Sequence, residues 1–319
     1  MTLVMKRRCL LFSLSIVGAV SFTIPGLSGD VPQDEPDFTI RSDVRLVLLD
    51  VNVKDQRGNR VSGLTKGDFT VFENNRPQAI TVFAHEDLPV TVGILVDESF
   101  SMFPKRTQVL MAAQTFIEES NPRDEVFVLN FNDKVTPGLP PGVPFSGDPR
   151  HLHAALASGY PEGKTALNDA IVDGLTHLTL GKRDKKALVV ISDGGDNASR
   201  HTRRQMLDMV ERSAATIYTI GVYDPEDPDR DPHLLRQLAG ITGGDAYFPE
   251  NAAGTIPICR RVARDIRSRY TIGYVPKADN GSGTLRRIHV RVSAPGHKHL
   301  SAQTRSSYRY DELPKQSNP

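Results

Sequence analysis

The sequence predicts an α/β fold, a doubly wound and mostly parallel sheet flanked by N- and C-terminal β segments. Between residues 89 and 268, almost continuously apolar runs alternate with amphipathic stretches of helical length. Runs of this kind are typical of parallel strands that helices cover on both faces. The segments on either side carry strand patterns and turn clusters without a helical period.

Residues 1–29 are predicted to be a signal peptide. Three basic residues at positions 6–8 precede an apolar run from Cys9 to Phe22, and a stretch rich in Pro and Gly follows. The run is shorter than the ~20 residues that a membrane-spanning helix needs, which favours cleavage over an uncleaved anchor. Cleavage after Ser21 or near Gly29 fits. We expect a secreted or periplasmic protein of the bacterial envelope, with no transmembrane span after cleavage.

The composition excludes several classes of protein. The chain has 319 residues, with 39 Lys and Arg against 38 Asp and Glu. Loss of the three leader cations changes the formal charge from +1 to −2. This balance lacks the basic excess of nucleic-acid-binding proteins. Cleavage also leaves Cys259 as the last of two cysteines, so an internal disulfide or a cysteine zinc site is not expected.

The flanking regions are predicted to form β structure. Residues 30–37 are polar and rich in Pro and are expected to be disordered, and residues 311–319 form a polar tail. Segments 38–88 and 269–310 are expected to pack together as one small β-sandwich. Their predicted strands are Val44–Val53, Phe69–Glu73, Ala79–Phe83, Tyr270–Val275, Leu285–Val292 and Ser301–Tyr308.

The central region, residues 89–268, alternates strands and helices. A hairpin at 132–134 is expected to add an antiparallel edge strand, Val135–Leu139. The predicted parallel strands are Val90–Val96, Val126–Phe131, Ala187–Ile191 and Thr216–Val222. The predicted helices are Lys105–Glu119, Thr165–Leu178, Thr202–Ala214, His233–Ile241 and Thr255–Arg269.

The chemistry concentrates after the first parallel strand, where Asp97, Ser99 and Ser101 form the pattern D-x-S-x-S. Ligands of open α/β sheets bind at the carboxyl ends of the strands. Alternate positions can direct one carboxylate and two hydroxyls to one point. These hard oxygen donors suit Mg²⁺ or Mn²⁺ and do not suit zinc. The pattern by itself is also compatible with a serine-rich helix cap.

Two further positions complete a known pattern. Thr165 stands at the entrance of a long predicted helix, within G-K-T-A-L-N-D-A, and Asp193 follows a buried strand, within I-S-D-G-G-D. In this order the three elements resemble the von Willebrand factor A (VWA) domain with an intact metal-ion-dependent adhesion site (MIDAS). The resemblance covers residues 89–268. It implies five metal ligands, namely Asp97, Ser99, Ser101, Thr165 and Asp193.

The segments on either side of residues 89–268 make the family resemblance more specific. The stretch G-L-x-x-x-D-F-x-V-x-E at 63–73 and Y-x-I-G-Y-x-P at 270–276 are similar to secreted bacterial VWA-related proteins known chiefly from acidobacterial genomes. The resemblance implies a metal-dependent protein-binding module for adhesion or envelope assembly, in which Mg²⁺ captures an acidic side chain of a protein ligand. The alternative is a subunit or accessory of an extracytoplasmic enzyme complex. No catalytic residue is expected, because G-x-S-x-G and H-E-x-x-H are missing from the sequence.

Other motifs are weaker. The triplet at 163–165 resembles the end of a P-loop. However, the position where a P-loop requires its first glycine is occupied by Ser158. The acidic stretch 224–231 lacks the glycine and closing glutamate of an EF-hand, and we interpret it as a solvated loop on the metal-bearing rim. The histidine pairs at 151/153 and 297/299, and the arginines between 260 and 269, are predicted to lie on the surface.

Overall fold

The structure is a computed structural model that describes residues 43–85, 87–223, 228–277, 285–310 and 315–317. The predicted signal peptide, the predicted disordered N-terminus and residues 224–227 of the acidic loop lie outside the described residues. Within the described ranges, no helix combines the length and apolar character that crossing a membrane would require.

The predicted strands and helices occur in the predicted order, and the described residues add three strands and one α-helix that were not predicted, namely Arg76–Gln78, Ala246–Tyr247, Lys315–Ser317 and the helix Pro149–Ala157. The strands before the α/β region are β1 (Asp43–Arg45), β2 (Val47–Lys54), β3 (Phe69–Glu73), β4 (Arg76–Gln78) and β5 (Ile80–Ala84). Those within it are β6 (Val90–Asp97), β7 (Glu125–Phe131), β8 (Val135–Pro137), β9 (Lys185–Ser192), β10 (Thr216–Gly221) and β11 (Ala246–Tyr247). Those after it are β12 (Tyr270–Tyr274), β13 (Leu285–Val292), β14 (Ser301–Gln303), β15 (Ser307–Arg309) and β16 (Lys315–Ser317).

The helices of the described residues all belong to the central region. They are α1 (Arg106–Glu118), α2 (Pro149–Ala157), α3 (Leu167–Leu178), α4 (Arg203–Arg212), α5 (Pro232–Thr242) and α6 (Thr255–Arg267). Local sequence sets several of their ends. Asp148 and Asp231 cap α2 and α5 ahead of a proline in the first turn, and Thr202 forms a capping box with Gln205 at α4.

The six-stranded sheet has the order β11-β10-β9-β6-β7-β8, and only β8 runs antiparallel to its neighbour. Every residue of β6 is buried, as expected for a central strand with helices on both faces. Helix α1 packs against α2 and α6, while α4 packs against α3 and α5, which gives one helical layer for each face. The predicted α/β fold class and the predicted edge hairpin are therefore confirmed.

Both flanks contribute strands to each of two antiparallel four-stranded sheets, β14-β2-β12-β5 and β15-β13-β3-β4. One apolar cluster joins the two sheets, with members such as Leu49 and Ile272 from one and Val71 and Val290 from the other. The alternation predicted for 285–292 is observed, since every second residue of β13 is buried. The expected small β-sandwich is thus present.

Two of the predicted strands differ from the observed ones. The predicted strand Val44–Val53 is broken at Leu46, and residues 43–45 pair with 315–317 of the tail. The predicted strand Ser301–Tyr308 is two strands, because β14 joins one sheet and β15 the other. These breaks depend on which sheet a short segment joins, and local pattern does not encode that choice.

The prediction that the arginines between 260 and 269 lie on the surface is wrong for Arg269. Its side chain is fully buried, with Nε donating to the Tyr218 hydroxyl at 2.8 Å and Nη2 donating to the Gly243 carbonyl at 2.7 Å. A further nitrogen reaches the Asp50 carbonyl oxygen of β2 at 3.4 Å. Arg269 therefore links the α/β sheet to the sandwich. Cys259 is buried, as predicted for a small packed side chain.

Candidate metal centre

The candidate site lies where the direction of strand addition reverses. From β6 the chain adds β7 on one side, and later adds β9 on the other, so the carboxyl ends of β6 and β9 flank a switch point. Ligands of open α/β sheets bind at such points. Asp97 ends β6, and Asp193 directly follows β9. The register pairs Val96 with Ile191 and so places both carboxylates at one edge.

Four of the five predicted ligand residues line one pocket of about 180 Å³, namely Ser99, Ser101, Thr165 and Asp193. The Ser101 hydroxyl donates to Asp193 Oδ2 at 2.6 Å, and the hydroxyl oxygens of Ser99 and Ser101 are 3.1 Å apart. Segments distant in sequence thus place their oxygens within hydrogen-bonding distance of one another.

Asp97 does not line this pocket, but hydrogen bonds hold its carboxylate in a fixed orientation next to Ser99. Its Oδ1 accepts the Ser99 backbone N–H at 2.9 Å, and its Oδ2 accepts the Ser192 hydroxyl at 2.5 Å. Asp97 and Asp193 are both almost completely buried. Burial, together with the nearby negative charge of Asp193, raises the pKa of Asp97 to about 7. A cation beside the two carboxylates would supply the missing positive charge.

Thr165 reaches the site from a loop and not from a helix. Helix α3 begins at Leu167, two residues later. The Thr165 backbone N–H donates to Asn197 Oδ1 at 2.9 Å, and its carbonyl accepts the N–H groups of Asn197 and Ala198. The loop after β9 therefore fixes the position of Thr165.

The donor set fits a hard divalent cation. It comprises two carboxylates and three hydroxyls, which are the ligands that Mg²⁺ and Mn²⁺ prefer. Neighbouring ligand oxygens of an octahedral Mg²⁺ site are ~3 Å apart, close to the separation of the Ser99 and Ser101 hydroxyls. Among the described residues, no group of three or more His, Cys, Asp or Glu side chains could hold a metal ion. A soft-metal centre is therefore not indicated in this part of the chain.

Glycines after β9 let the acidic loop approach the pocket. Gly194 has φ 89°, and a Cβ there would lie 2.5 Å from the carbonyl oxygen of Asp231. A Cβ at Gly195 would lie 2.8 Å from the carbonyl oxygen of Asp229. Asp229 itself lines the pocket. The described end of the acidic loop therefore lies on the predicted rim.

Glu98, adjacent to Asp97, contributes to the architecture of the site. Its carboxylate is buried and accepts Arg106 Nε at 2.9 Å, and Arg106 Nη2 donates to the Gly159 carbonyl at 2.6 Å. The Glu98 carbonyl also accepts the Glu162 N–H at 2.9 Å. Burial raises the pKa of Glu98, and the Arg106 guanidinium opposes that rise. This pair connects the turn after β6 to the loop that leads to Thr165.

Sequence reasoning missed three residues around the site. Lys164 lines the pocket, Ser192 orients Asp97, and Asn197 positions Thr165. Asp229, which also lines the pocket, belongs to the acidic loop that was predicted to lie on this rim. Ser192 stands within the quoted Ser-Asp-Gly motif, so its position carried a signal. Asn197 lies in a loop without a recognisable pattern, and its role follows only from the path of that loop.

Comparison with known protein families supports the same fold. Residues 92–195, about a third of the chain, match the family of the von Willebrand factor type A domain. The matched range begins in β6 and ends just after Asp193, so it contains all five predicted ligand positions. A search of curated protein sequences finds no match.

Solved structures give a similar result. A von Willebrand factor type A protein from Catenulispora acidiphila aligns with a TM-score of 0.50 at 13% identity, over 86% of this chain and 76% of that chain. The manganese-loaded TRAP protein of Plasmodium vivax aligns with a TM-score of 0.45 at 14% identity, over 75% and 98% of the two chains. The vWF domain of the type V pili tip protein Mfa5 from Porphyromonas gingivalis aligns with a TM-score of 0.46 at 12% identity, over 57% and 97%.

Proposed function

We propose that this chain is a secreted or periplasmic protein-binding module that holds Mg²⁺, or Mn²⁺, at a MIDAS and uses it to capture an acidic side chain of a protein partner. The metal ligands are Asp97, Ser99, Ser101, Thr165 and Asp193. The observation that carries the proposal is the gathering of hydroxyls and carboxylates from three separate segments around one pocket at the sheet switch point. Adhesion and envelope assembly are the processes that such a module serves.

The chemistry of the site favours binding. Three of the five donors are neutral hydroxyls, so Asp97 and Asp193 supply all the negative charge of the proposed ligand set. Five protein donors leave the sixth position of an octahedral Mg²⁺ site open, and a carboxylate oxygen from a partner can occupy it. No nucleophile and general base are needed for this step. The chain has a VWA-like fold and matches the VWA family over residues 92–195. Because VWA domains are typically interaction modules, this supports a binding function.

Export is the second part of the proposal, and it rests on the sequence. A basic cluster, an apolar run and a breaker-rich stretch stand in the order of a signal peptide at the start of the chain. An extracytoplasmic location would bring the site into contact with other envelope proteins. N-terminal sequencing of the exported protein checks this part, and a mature N-terminus after Ser21 or near Gly29 is expected.

Calorimetric titration with Mg²⁺ tests the metal site directly. We expect wild-type protein to bind Mg²⁺, and the variants Asp97→Ala and Asp193→Ala to lose measurable binding, because each removes one of two buried carboxylates. Ser101→Ala removes one neutral donor and should weaken binding by a smaller factor. Circular dichroism of each variant shows whether the fold is retained.

Asp184→Ala is the matched control for these variants. Asp184 is an exposed aspartate directly before β9, at the opposite end of the strand from Asp193. Its removal should leave Mg²⁺ affinity unchanged. Equal Mg²⁺ affinity in wild type, Asp97→Ala and Asp193→Ala would overturn the proposed function.

A further inference from the structure

Two phenylalanines stand exposed beside the candidate metal pocket. Phe100 is 71% exposed and Phe103 is 60% exposed, and Phe100 lines the pocket together with Ser99 and Ser101. Their rings are stacked, with centroids 6.4 Å apart and an interplanar angle of 16°. Phe100 is the most exposed large hydrophobic side chain among the described residues. We call this pair the aromatic rim.

Local geometry explains why both rings face solvent. Residues 100–105 form a 3₁₀ turn, in which side chains three residues apart lie on the same face. Met102 of this turn points inward and is buried. The fold therefore needs an apolar residue at 102, while polar residues at 100 and 103 would meet its packing requirements equally well. Exposed aromatic pairs that folding does not require are typical of interaction surfaces.

The charged residues around the pocket are distributed unevenly. The Phe100 N–H donates to the Gly163 carbonyl at 3.2 Å, which places the exposed Lys164 on the aromatic side. Asp229 borders the pocket on the side of Gly195. An incoming carboxylate is therefore attracted towards Lys164, on the aromatic side of the pocket. The residues next to that carboxylate in the partner would come to lie over the aromatic rim.

Resting on the function proposed above, we propose that the partner presents a short exposed segment in which the metal-binding acidic residue is flanked by an aromatic or large aliphatic residue. The carboxylate completes the metal coordination and pairs with Lys164, and the flanking apolar side chain packs on Phe100 and Phe103. The metal provides affinity for any accessible carboxylate, and the aromatic rim selects among them. Burial of one large apolar side chain changes the dissociation constant by about tenfold or more.

A peptide array tests this selection with the full mature chain. Each peptide carries a central glutamate, and each neighbouring position carries every amino acid in turn. Binding is measured in Mg²⁺ and in EDTA. We expect Mg²⁺-dependent binding to be strongest where Phe, Tyr, Trp, Leu, Ile or Met neighbours the glutamate. We expect Phe103→Ser to weaken binding of those peptides by about tenfold and to leave peptides with polar neighbours unchanged.

Phe103 does not line the pocket, so its replacement separates the rim from the metal site. Mg²⁺ affinity of Phe103→Ser is measured alongside and is expected to equal that of wild type. Leu180→Ser is the matched control, because Leu180 is 61% exposed and follows the far end of α3. The double variant Phe100→Ser, Phe103→Ser should remove the apolar preference completely.

Each contrary result has a distinct meaning. Equal binding of all glutamate peptides, or an apolar preference that survives in the double variant, would overturn the aromatic rim and leave the metal-dependent function standing. Absence of Mg²⁺-dependent binding to every glutamate peptide would overturn both proposals. Self-association of the wild-type chain that Phe103→Ser abolishes would also refute the inference, since a second copy would then occupy the rim.

Discussion

At the scale of single residues, the sandwich core contains a buried ion pair. Arg286 Nη1 lies 2.5 Å from Glu73 Oε1, and both side chains are almost fully buried. The hydroxyls of Tyr274 and Tyr308 donate to the other oxygen of Glu73. Both oxygens of this carboxylate thus face donors. A buried ion pair adds little stability relative to well-packed apolar residues. Removing only one partner is costly, because the other charge is then buried without a partner.

Replacing Arg286 by methionine leaves the Glu73 charge buried without its partner. We expect Arg286→Met to lower the free energy of unfolding by about 3–5 kcal/mol, measured by urea denaturation. Glu73→Gln combined with Arg286→Met should cost less than the single change, because no charge is then stranded.

The adjacent Arg287 provides the control for this prediction. Arg287 is exposed on the opposite face of β13, so Arg287→Met should change stability by no more than about 0.5 kcal/mol. A similar effect of Arg286→Met and Arg287→Met would contradict the role given to the buried pair.

At the scale of elements, the turn after β6 and the loop before α3 hold each other in place. Glu98 and Arg106 connect them through the Gly159 carbonyl, and the Glu98 carbonyl accepts the Glu162 N–H. A Cβ at Gly159 would lie 2.4 Å from Glu98 Oε1. Since Arg106 holds this carboxylate, the clash has no simple relief. Gly159 is required for close approach of the two elements.

Gly159→Ala should therefore lower the free energy of unfolding by about 1–3 kcal/mol, because it overpacks a closed contact. It should also weaken Mg²⁺ binding, because the displaced loop carries Thr165. Thermal unfolding and Mg²⁺ titration measure the two effects.

Gly240→Ala is the same chemical change in open space. Gly240 lies within α5, and a Cβ added there would meet no atom of another part of the described chain within 4 Å. Alanine is the better helix former there, so stability should rise by up to about 1 kcal/mol. If Gly159→Ala were as well tolerated as Gly240→Ala, the proposed contact would be unimportant.

At the scale of the whole molecule, buried tyrosines make the free energy of unfolding depend on pH in the alkaline range. Burial raises the pKa of five phenols distributed over both cores, and it raises the pKa of the Cys259 thiol to about 12. The five phenols belong to Tyr218, Tyr247, Tyr270, Tyr274 and Tyr308. Burial lowers the pKa of Lys185 and of Arg305, and these two groups act in the opposite direction to the larger set of phenols.

The sign of the pH dependence follows from these directions. An unfolded tyrosine releases its proton near pH 10, whereas the folded chain retains it. The stabilisation is therefore complete below about pH 10 and is lost as pH rises above that value. We expect the free energy of unfolding to fall steeply above about pH 10, with tyrosinate absorbance appearing together with unfolding. Constant stability through that range, or tyrosinate formation in a folded chain, would contradict this prediction.

Much of the fold was predictable from pattern. The continuously apolar runs identified the central strands, and the alternation at 285–292 identified β13, because side-chain period reflects how many faces a strand buries. Four of the five predicted site residues were predictable as positions at or near strand ends, and Thr165 was predictable as a position at the entrance of a helix. Their convergence around one pocket was an expectation that depended on strand order, and strand order is a property of the sheet as a whole.

Sequence pattern established which segments become the central buried strands and which oxygen donors stand at the carboxyl ends of strands. It also placed the ends of every described α-helix except α2 to within a few residues. These features are local, because periodicity and capping act within a few turns of chain. Only the tertiary structure decided that Arg269 and Arg286 are buried, that Ser192 orients Asp97, and that Phe100 and Phe103 remain exposed. Those outcomes depend on which distant segments meet, and a side chain's own sequence neighbours carry no record of that.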